Sequence, residues 1–418
     1  MSICVVDWVE FTMIAPIMAE YFEKVYYNPN PAKSGFTEIA AAKLGSGLKG
    51  VTQIPTIWKD EDNIDIFMFP DIEFMDLANK LKKDGRYTWG SGDSEMLELD
   101  RALFLEELKK VGLPVPETEI IETFTKEIEY LKTHKDIWVK INKYRGIKET
   151  FHVGKDEDIN EMVIADIMRK VRPFADDKDL IFLNQKPIES KVEYGRDRFA
   201  VNGMFANKLF MGFEKKGMQY LSKYITMEEQ PKEAQEIDVK FSQILQKYKY
   251  TGFCSDEVRV SKDNIHYLID PCMRCGYPSS PSYLHAVTNW NEIIERGVKG
   301  EVIDPISKYK YCAEIIIHYN YEGYSPLTYK NTEHASFLPT TYARRKGKDW
   351  RVPANQLYSD SLKAGICVGG GQTVEEAIAN CTEVFESVEG EGLEKINTLK
   401  EFSQEIIEGM SKATGYNF

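Results

Sequence analysis

Residues 252–278, GFCSDEVRVSKDNIHYLIDPCMRCGYP, decide how the rest of the chain is read. Two runs of alternating apolar and polar side chains flank Asp263-Asn264, the pattern of two antiparallel strands joined by a tight turn. With Asp263 and Asn264 as the central turn residues, a favourable pair for a two-residue loop, the register follows. Glu257 faces Asp270, with Cβ atoms about 5 Å apart. On the other side Val258 meets Ile269 and Val260 meets Tyr267, an apolar face suited to a core. Opposed carboxylates repel unless a cation lies between them, and hard oxygen ligands with few protein contacts suit Mg²⁺ held mainly by phosphate oxygens. Arg274 adds a planar cation that matches phosphate or carboxylate. The plainer alternative makes Glu257 and Asp270 solvated residues of an exposed sheet face, balanced by Arg259 and Arg274.

Upstream, short apolar runs at 3–6, 24–27 and 64–69 alternate with helical patterns, the rhythm of a small parallel α/β layer. The spacing predicts helices over 74–83 and 94–111, the second closed by Gly112 and Pro114. A second unit follows, with a strand at 117–122, a helix near 126–133, and strands at 136–141 and 149–153 joined as a hairpin through the turn-prone NKYRG. Strands at 180–185, 198–202 and 208–213 and a helix over 233–248 lead into the hairpin, an α+β pattern. Beyond it come strands near 312–319 and 365–368 and a helix started by the capping box Thr373/Glu376.

Composition sets limits. The 418 residues exceed one ordinary core, so two or three packed units are expected. No stretch is apolar enough to cross a bilayer, and the opening MSICVVDWVEFTM does not look like a signal peptide, so a cytoplasmic location is expected. A net charge of −13 without a long basic run argues against tight nonspecific binding to nucleic acid. The seven scattered cysteines read as reduced thiols, and Cys272-x-x-Cys275 lacks the second ligand pair of a zinc site. Gly369-Gly370-Gly371 is not followed by the Lys-Ser/Thr of a phosphate loop and is expected to be a tight turn. The six histidines form no catalytic motif. Lys215 and Lys216 follow a strand and face either a triphosphate or solvent.

The order of these features resembles the ATP-grasp superfamily, in particular phosphoribosylamine–glycine ligase and related carboxylate–amine ligases. In that family a strand carboxylate and a Glu-x-Asn on the next strand bind Mg²⁺, and an arginine follows. This chain has Glu257, then Asp270-Pro271-Cys272, then Arg274. Asp270 replaces the usual glutamate and Cys272 stands in the asparagine position, so the resemblance implies Glu257, Asp270 and Cys272 as metal positions. GSGDSEMLELDRALFLEELKKVGLPVP resembles the segment whose basic residue, here Arg101, reaches the nucleotide phosphates. WVKINKYRG resembles the lid strand, with Lys140 on phosphate and a loop that closes over the triphosphate. IFLNQKPIESKVEYGRD resembles the hinge, where Gln185, Lys186, Pro187 and Ile188 flank adenine and either Glu193 or Asp197 holds the ribose. GICVGGGQTVEEAIANC resembles the family's C-terminal domain.

The resemblance implies a mixed α/β and α+β fold of the ATP-grasp type. A parallel pre-ATP-grasp domain would span 1–115, the ATP-grasp domain 116–310 with a lid at about 117–190, and a small C-terminal α+β domain 311–418. It also implies ATP and Mg²⁺ as cofactors, Lys140 and Arg274 as catalytic cations, and small-molecule carboxylate and amine substrates, glycine or a small amino acid being joined to a sugar or nucleotide amine. Ser279, Ser280 and Arg274 are candidates for the acid. The alternatives are a nucleotide-binding protein without turnover, suggested by Cys272, and an interaction protein that binds no ATP.

Overall fold

The computed structural model describes all residues except 9, 31–36, 144–149, 157, 172–179, 277–279, 354–362 and 417. The chain begins as a five-stranded parallel sheet, in the order Val51–Gln53, Lys24–Pro29, Ser2–Asp7, Ile66–Met68, Tyr87–Trp89. Ile3 and Val5 pack into one core and Cys4 and Val6 into another, all fully buried. A parallel strand covered on both faces requires such a continuous apolar run.

The helix expected over 94–111 is two, Glu95–Leu99 and Arg101–Lys110. Asp100 takes an extended conformation between them and its side chain accepts from Leu103 N, capping the second helix.

The second unit is a four-stranded antiparallel sheet, in the order Thr118–Glu122, Ile181–Gln185, Ile137–Ile141, Thr150–Val153. It has its own core, which includes Leu131, Val139, Ile141 and Phe182. The expected hairpin is present, with Lys140 opposite Thr150; residues 144–149 of its loop lie outside the described residues.

Residues 186–189 then carry the chain into a large antiparallel sheet. Its main path runs His266–Cys272, Gly252–Ser261, Ser190–Val201, Lys208–Lys215, Gln219–Thr226, Tyr311–Tyr319, Lys363–Gly371, Ala335–Pro339. One face packs on the helices Lys232–Lys247 and Val374–Ser387 through residues such as Phe241, Leu221, Ile315 and Cys381. The other face carries Glu193, Gly195, Asp197 and Glu257.

The decisive hairpin is antiparallel, and Glu257 faces Asp270. The neighbouring pairs differ from expectation: Val258 faces Leu268, not Ile269, and Val260 faces His266, not Tyr267. The loop has three residues rather than two, because Asn264 takes φ 63° and Ser261 N bonds Ile265 O at 2.9 Å. Asparagine tolerates this left-handed conformation, which closes a three-residue hairpin loop. A register shift between Glu257 and Val258 then absorbs the extra residue and restores the carboxylate pair.

Gly369, Gly370 and Gly371 form no turn; they end the strand Lys363–Gly371. A Cβ at Gly369 would lie 2.2 Å from Cys381 N, and one at Gly370 2.1 Å from the Tyr309 ring. Close packing against the helix Val374–Ser387 and the Tyr309 ring, not loop geometry, requires those glycines. Among the described residues no helix is long and apolar enough to cross a membrane.

Candidate functional site

A cleft opens on the polar face of the large sheet. Of the residues singled out in the sequence, Glu193, Asp197, Glu257, Asp270, Cys272 and Arg274 line it together. Glu98, Glu214, Lys216 and Tyr220 line it too.

Lys216 organises the acidic wall. Its ammonium bonds Glu257, lies 3.1 Å from Glu214 Oε2 and 3.5 Å from Glu193 Oε1. Arg259 Nε adds a 2.9 Å bond to Glu193 Oε2. Desolvation by the cleft walls pushes the Glu257 carboxyl up to about 7, reinforced by Asp270 and Glu193 and opposed by Lys216. Burial pushes Glu193 the same way, but Arg259 and Lys216 outweigh it and hold this carboxyl below its ordinary value.

Arg274 closes the other end. Its Nε donates to Glu98 Oε1 at 2.9 Å and lies 3.6 Å from Asp71 Oδ1, while Met273 N donates to Glu98 Oε2 at 2.7 Å. The guanidinium is thus fixed at the cleft by two carboxylates. Burial lifts Asp71 to about 7 against the pull of Arg274. Asp197 is 2% exposed and accepts from Tyr220 OH, whose ring lies over Gly212.

Arg101, Lys140, Gln185, Lys186, Pro187 and Ile188 do not line this cleft and lie towards the lid. Arg101 Nη1 donates to Ile141 O at 2.9 Å. Beside it Asn142 Nδ2 donates to Asp100 Oδ1 at 2.9 Å, and Ala102 N to Asn142 Oδ1 at 3.3 Å. The helix start therefore holds the end of the lid strand that carries Lys140. Gln185 Nε2 donates to Thr118 Oγ1 at 3.1 Å, and Lys186 N to Glu117 O at 3.1 Å. Ser280 is buried with its hydroxyl 3.0 Å from Tyr283 OH, and Ser279 lies outside the described residues.

The residues fit a magnesium ion with few protein ligands. The carboxylates of Glu257 and Asp270 are in register, and the chain's own ammonium from Lys216 already stands against Glu257 as a cation. Among the described residues no three His, Cys, Asp or Glu side chains form a metal-holding group, so oxygen atoms of a bound phosphate would have to complete the shell. Cys272, opposite Ser255, offers a soft thiol that suits Mg²⁺ poorly. None of the seven cysteines forms a disulfide.

Glu98, Glu214 and Tyr220 were not legible as site residues. Glu98 reads as a helix-surface acid, yet it is 1% exposed because Arg274 and Met273 N bind it. The alternation in GMQYLSKYIT was the available signal for the strand Gln219–Thr226 that carries Tyr220.

No family model matches the sequence, and no curated protein matches it. Solved structures do. Phosphoribosylamine–glycine ligase from Thermotoga maritima superposes with a TM-score of 0.67 at 15% identity, covering 94% of this chain and 98% of that one. Biotin carboxylase from Campylobacter jejuni, in a complex with β,γ-ATP, gives 0.70 at 12% identity over 99% and 98%. L-amino acid ligase from Bacillus licheniformis gives 0.62 at 14% identity over 95% and 99%. The parallel sheet and the antiparallel sheets together make this chain's fold that of the ATP-grasp enzymes over nearly its whole length.

Proposed function

We propose that the protein is an ATP-dependent carboxylate–amine ligase that forms an amide through an acyl phosphate. The observation that carries this reading is Glu257 opposite Asp270 on the wall of a cleft shared with Lys216 and Arg274, in a chain with this fold. In this reading units 1–115, 116–310 and 311–418 cooperate, and ATP lies between the lid and the large sheet. The link that includes Lys186, Pro187 and Ile188, with Gln185 before it, borders the adenine. Glu193 is better placed for the ribose than Asp197, since it follows the link directly and its side chain is 27% exposed, whereas Asp197 is enclosed with Tyr220.

Glu257 and Asp270 would hold Mg²⁺, with Cys272 at the edge of the site; the ion would supply charge neutralisation on the phosphate oxygens. Lys140 and Arg101 meet the phosphates from the lid side. Lys216 and Arg274 offset the charge that develops as a substrate carboxylate attacks the γ-phosphorus and ADP departs. An amine then attacks the acyl carbon, inorganic phosphate leaves, and the amine gives up its proton. Exclusion of water by the lid protects the acyl phosphate from hydrolysis. Glycine or another small amino acid is the proposed acid.

The test is release of ADP and phosphate from Mg-ATP with a panel of carboxylic acids and amines. Release that needs an acid and an amine together supports the ligase. Cys272 in a position better suited to a hard oxygen favours a second reading, nucleotide binding without turnover; ATP binding with no stimulating pair would support it.

A further inference from the structure

In a parallel layer whose strand order reverses beside the first strand, ligands meet the crevice at the carboxyl ends of the strands, here between Ser2–Asp7 and Ile66–Met68. A loop that binds phosphate there uses glycines and unspent backbone amides. The corresponding loop, Asp7-Trp8-Val9-Glu10-Phe11-Thr12, has no glycine. Three of its amides are committed: Glu10 N and Phe11 N donate to the Asp7 carboxylate at 3.3 and 3.0 Å, and Thr12 N donates to Thr340 O at 3.2 Å. Asp7 is fully buried and also accepts from Tyr27 OH at 2.9 Å. Trp8 closes over the loop, its ring stacked on Phe74 at 4.2 Å and its Nε1 bonded to Ile72 O at 2.7 Å. Across the crevice Asp71 is a further carboxylate, 3.6 Å from Arg274 Nε.

We infer that Asp7 fills, from within the chain, the position that a substrate phosphate would occupy, and that the amine acceptor is an unphosphorylated amine. This rests on the ligase reading above and narrows it. A phosphate brought to this loop would find Glu10 N, Phe11 N and Thr12 N already bonded within the chain and would face Asp7 and Asp71; a neutral or cationic amine meets neither obstacle.

The experiment uses matched acceptors, each amine paired with its own phosphate monoester: an amino sugar, an amino alcohol and an amino nucleoside. Each is assayed with Mg-ATP and a small amino acid for ADP release. The unphosphorylated member is expected to win in kcat/KM by about tenfold or more, equivalent to about 1.4 kcal/mol. Equal or preferred use of the phosphate monoesters would overturn the inference. A second measurement works without turnover. With Mg-ADP saturating, the melting temperature is compared in ribose and in ribose 5-phosphate. Equal melting is expected, and stabilisation by ribose 5-phosphate alone would overturn the inference. Absence of turnover with every acceptor would instead count against the ligase reading, while stabilisation by ribose 5-phosphate alone would still overturn this inference.

Discussion

Around the cleft of the large sheet three acidic groups are held by a charge of opposite sign: Glu257 by Lys216, Glu193 by Arg259 and Lys216, and Glu98, from the helix Glu95–Leu99, by Arg274. At the link from the four-stranded unit an ion pair is held more loosely. Lys186 pairs with Glu117 at 2.7 Å, but the two side chains are 63% and 72% exposed, where an ion pair contributes little. The lid has a separate apolar core and meets the rest through the short link at 186–189 and the seam of Arg101 and Asn142. Under the proposed function, the contrast means that the side assigned to phosphate and metal is assembled in advance, whereas the lid's share of binding would be made on contact with the nucleotide. Preassembled dipoles and charges are what electrostatic catalysis requires.

The comparison breaks most visibly beneath the hairpin. Arg196 bonds Asp256 at 2.7 Å and Asp238 at 2.6 Å, and Arg198 bonds the same pair at 2.6 and 2.9 Å, all fully buried. Asp256→Ala leaves two buried guanidinium groups to share Asp238 alone and is expected to cost about 3–5 kcal/mol, read as a fall in the denaturant midpoint. A variant that melts like the wild type would show that the hairpin does not depend on this network.

Within the lid, Glu127 is buried, accepts from Asn184 Nδ2 at 2.8 Å, and has its carboxyl raised from 4.5 to about 7, chiefly by burial. Between those values the folded lid holds a proton that the unfolded chain has released, so lid stability falls as pH rises from about 4.5 to 7. Glu127→Gln keeps an acceptor for Asn184, should flatten that dependence, and should stabilise the lid at neutral pH by about 1–3 kcal/mol. Hydrogen exchange at Val139 and Phe182 measures it, and an unchanged pH slope would contradict the account.

The smallest effect belongs to the seam. Asn142→Ala removes the bonds to Asp100 and Ala102 and should loosen the lid by about 1 kcal/mol. Faster proteolysis at the 186–189 link with nearly constant global melting is expected; equal cleavage rates would mean the seam does not hold the lid.

How much of this was legible in the sequence depends on the range of the forces involved. The Glu257/Asp270 pair could be read from strand alternation and a turn, both local. The two near-turn pairs went wrong because the αL conformation of Asn264 added a loop residue, and the bulge that compensates is a tertiary feature. Gly369 and Gly370 looked like a turn because the Cys381 backbone and the Tyr309 ring that exclude a Cβ come from elsewhere in the chain. Lys216 was ambiguous between triphosphate and solvent until three strands brought Glu193, Glu214 and Glu257 around it. Asp100 was hidden inside a continuous helical pattern, although it caps one helix and anchors the lid strand.

The most direct test of the central claim compares ADP release from Mg-ATP by the wild type and by a variant carrying Glu257→Ala and Asp270→Ala, with an amino acid and an amine supplied together. The account predicts release that requires both substrates and falls by about 10²–10³-fold in the variant, while the melting temperature stays near that of the wild type. Undiminished release in a folded variant would contradict the assignment of the paired carboxylates to the chemistry.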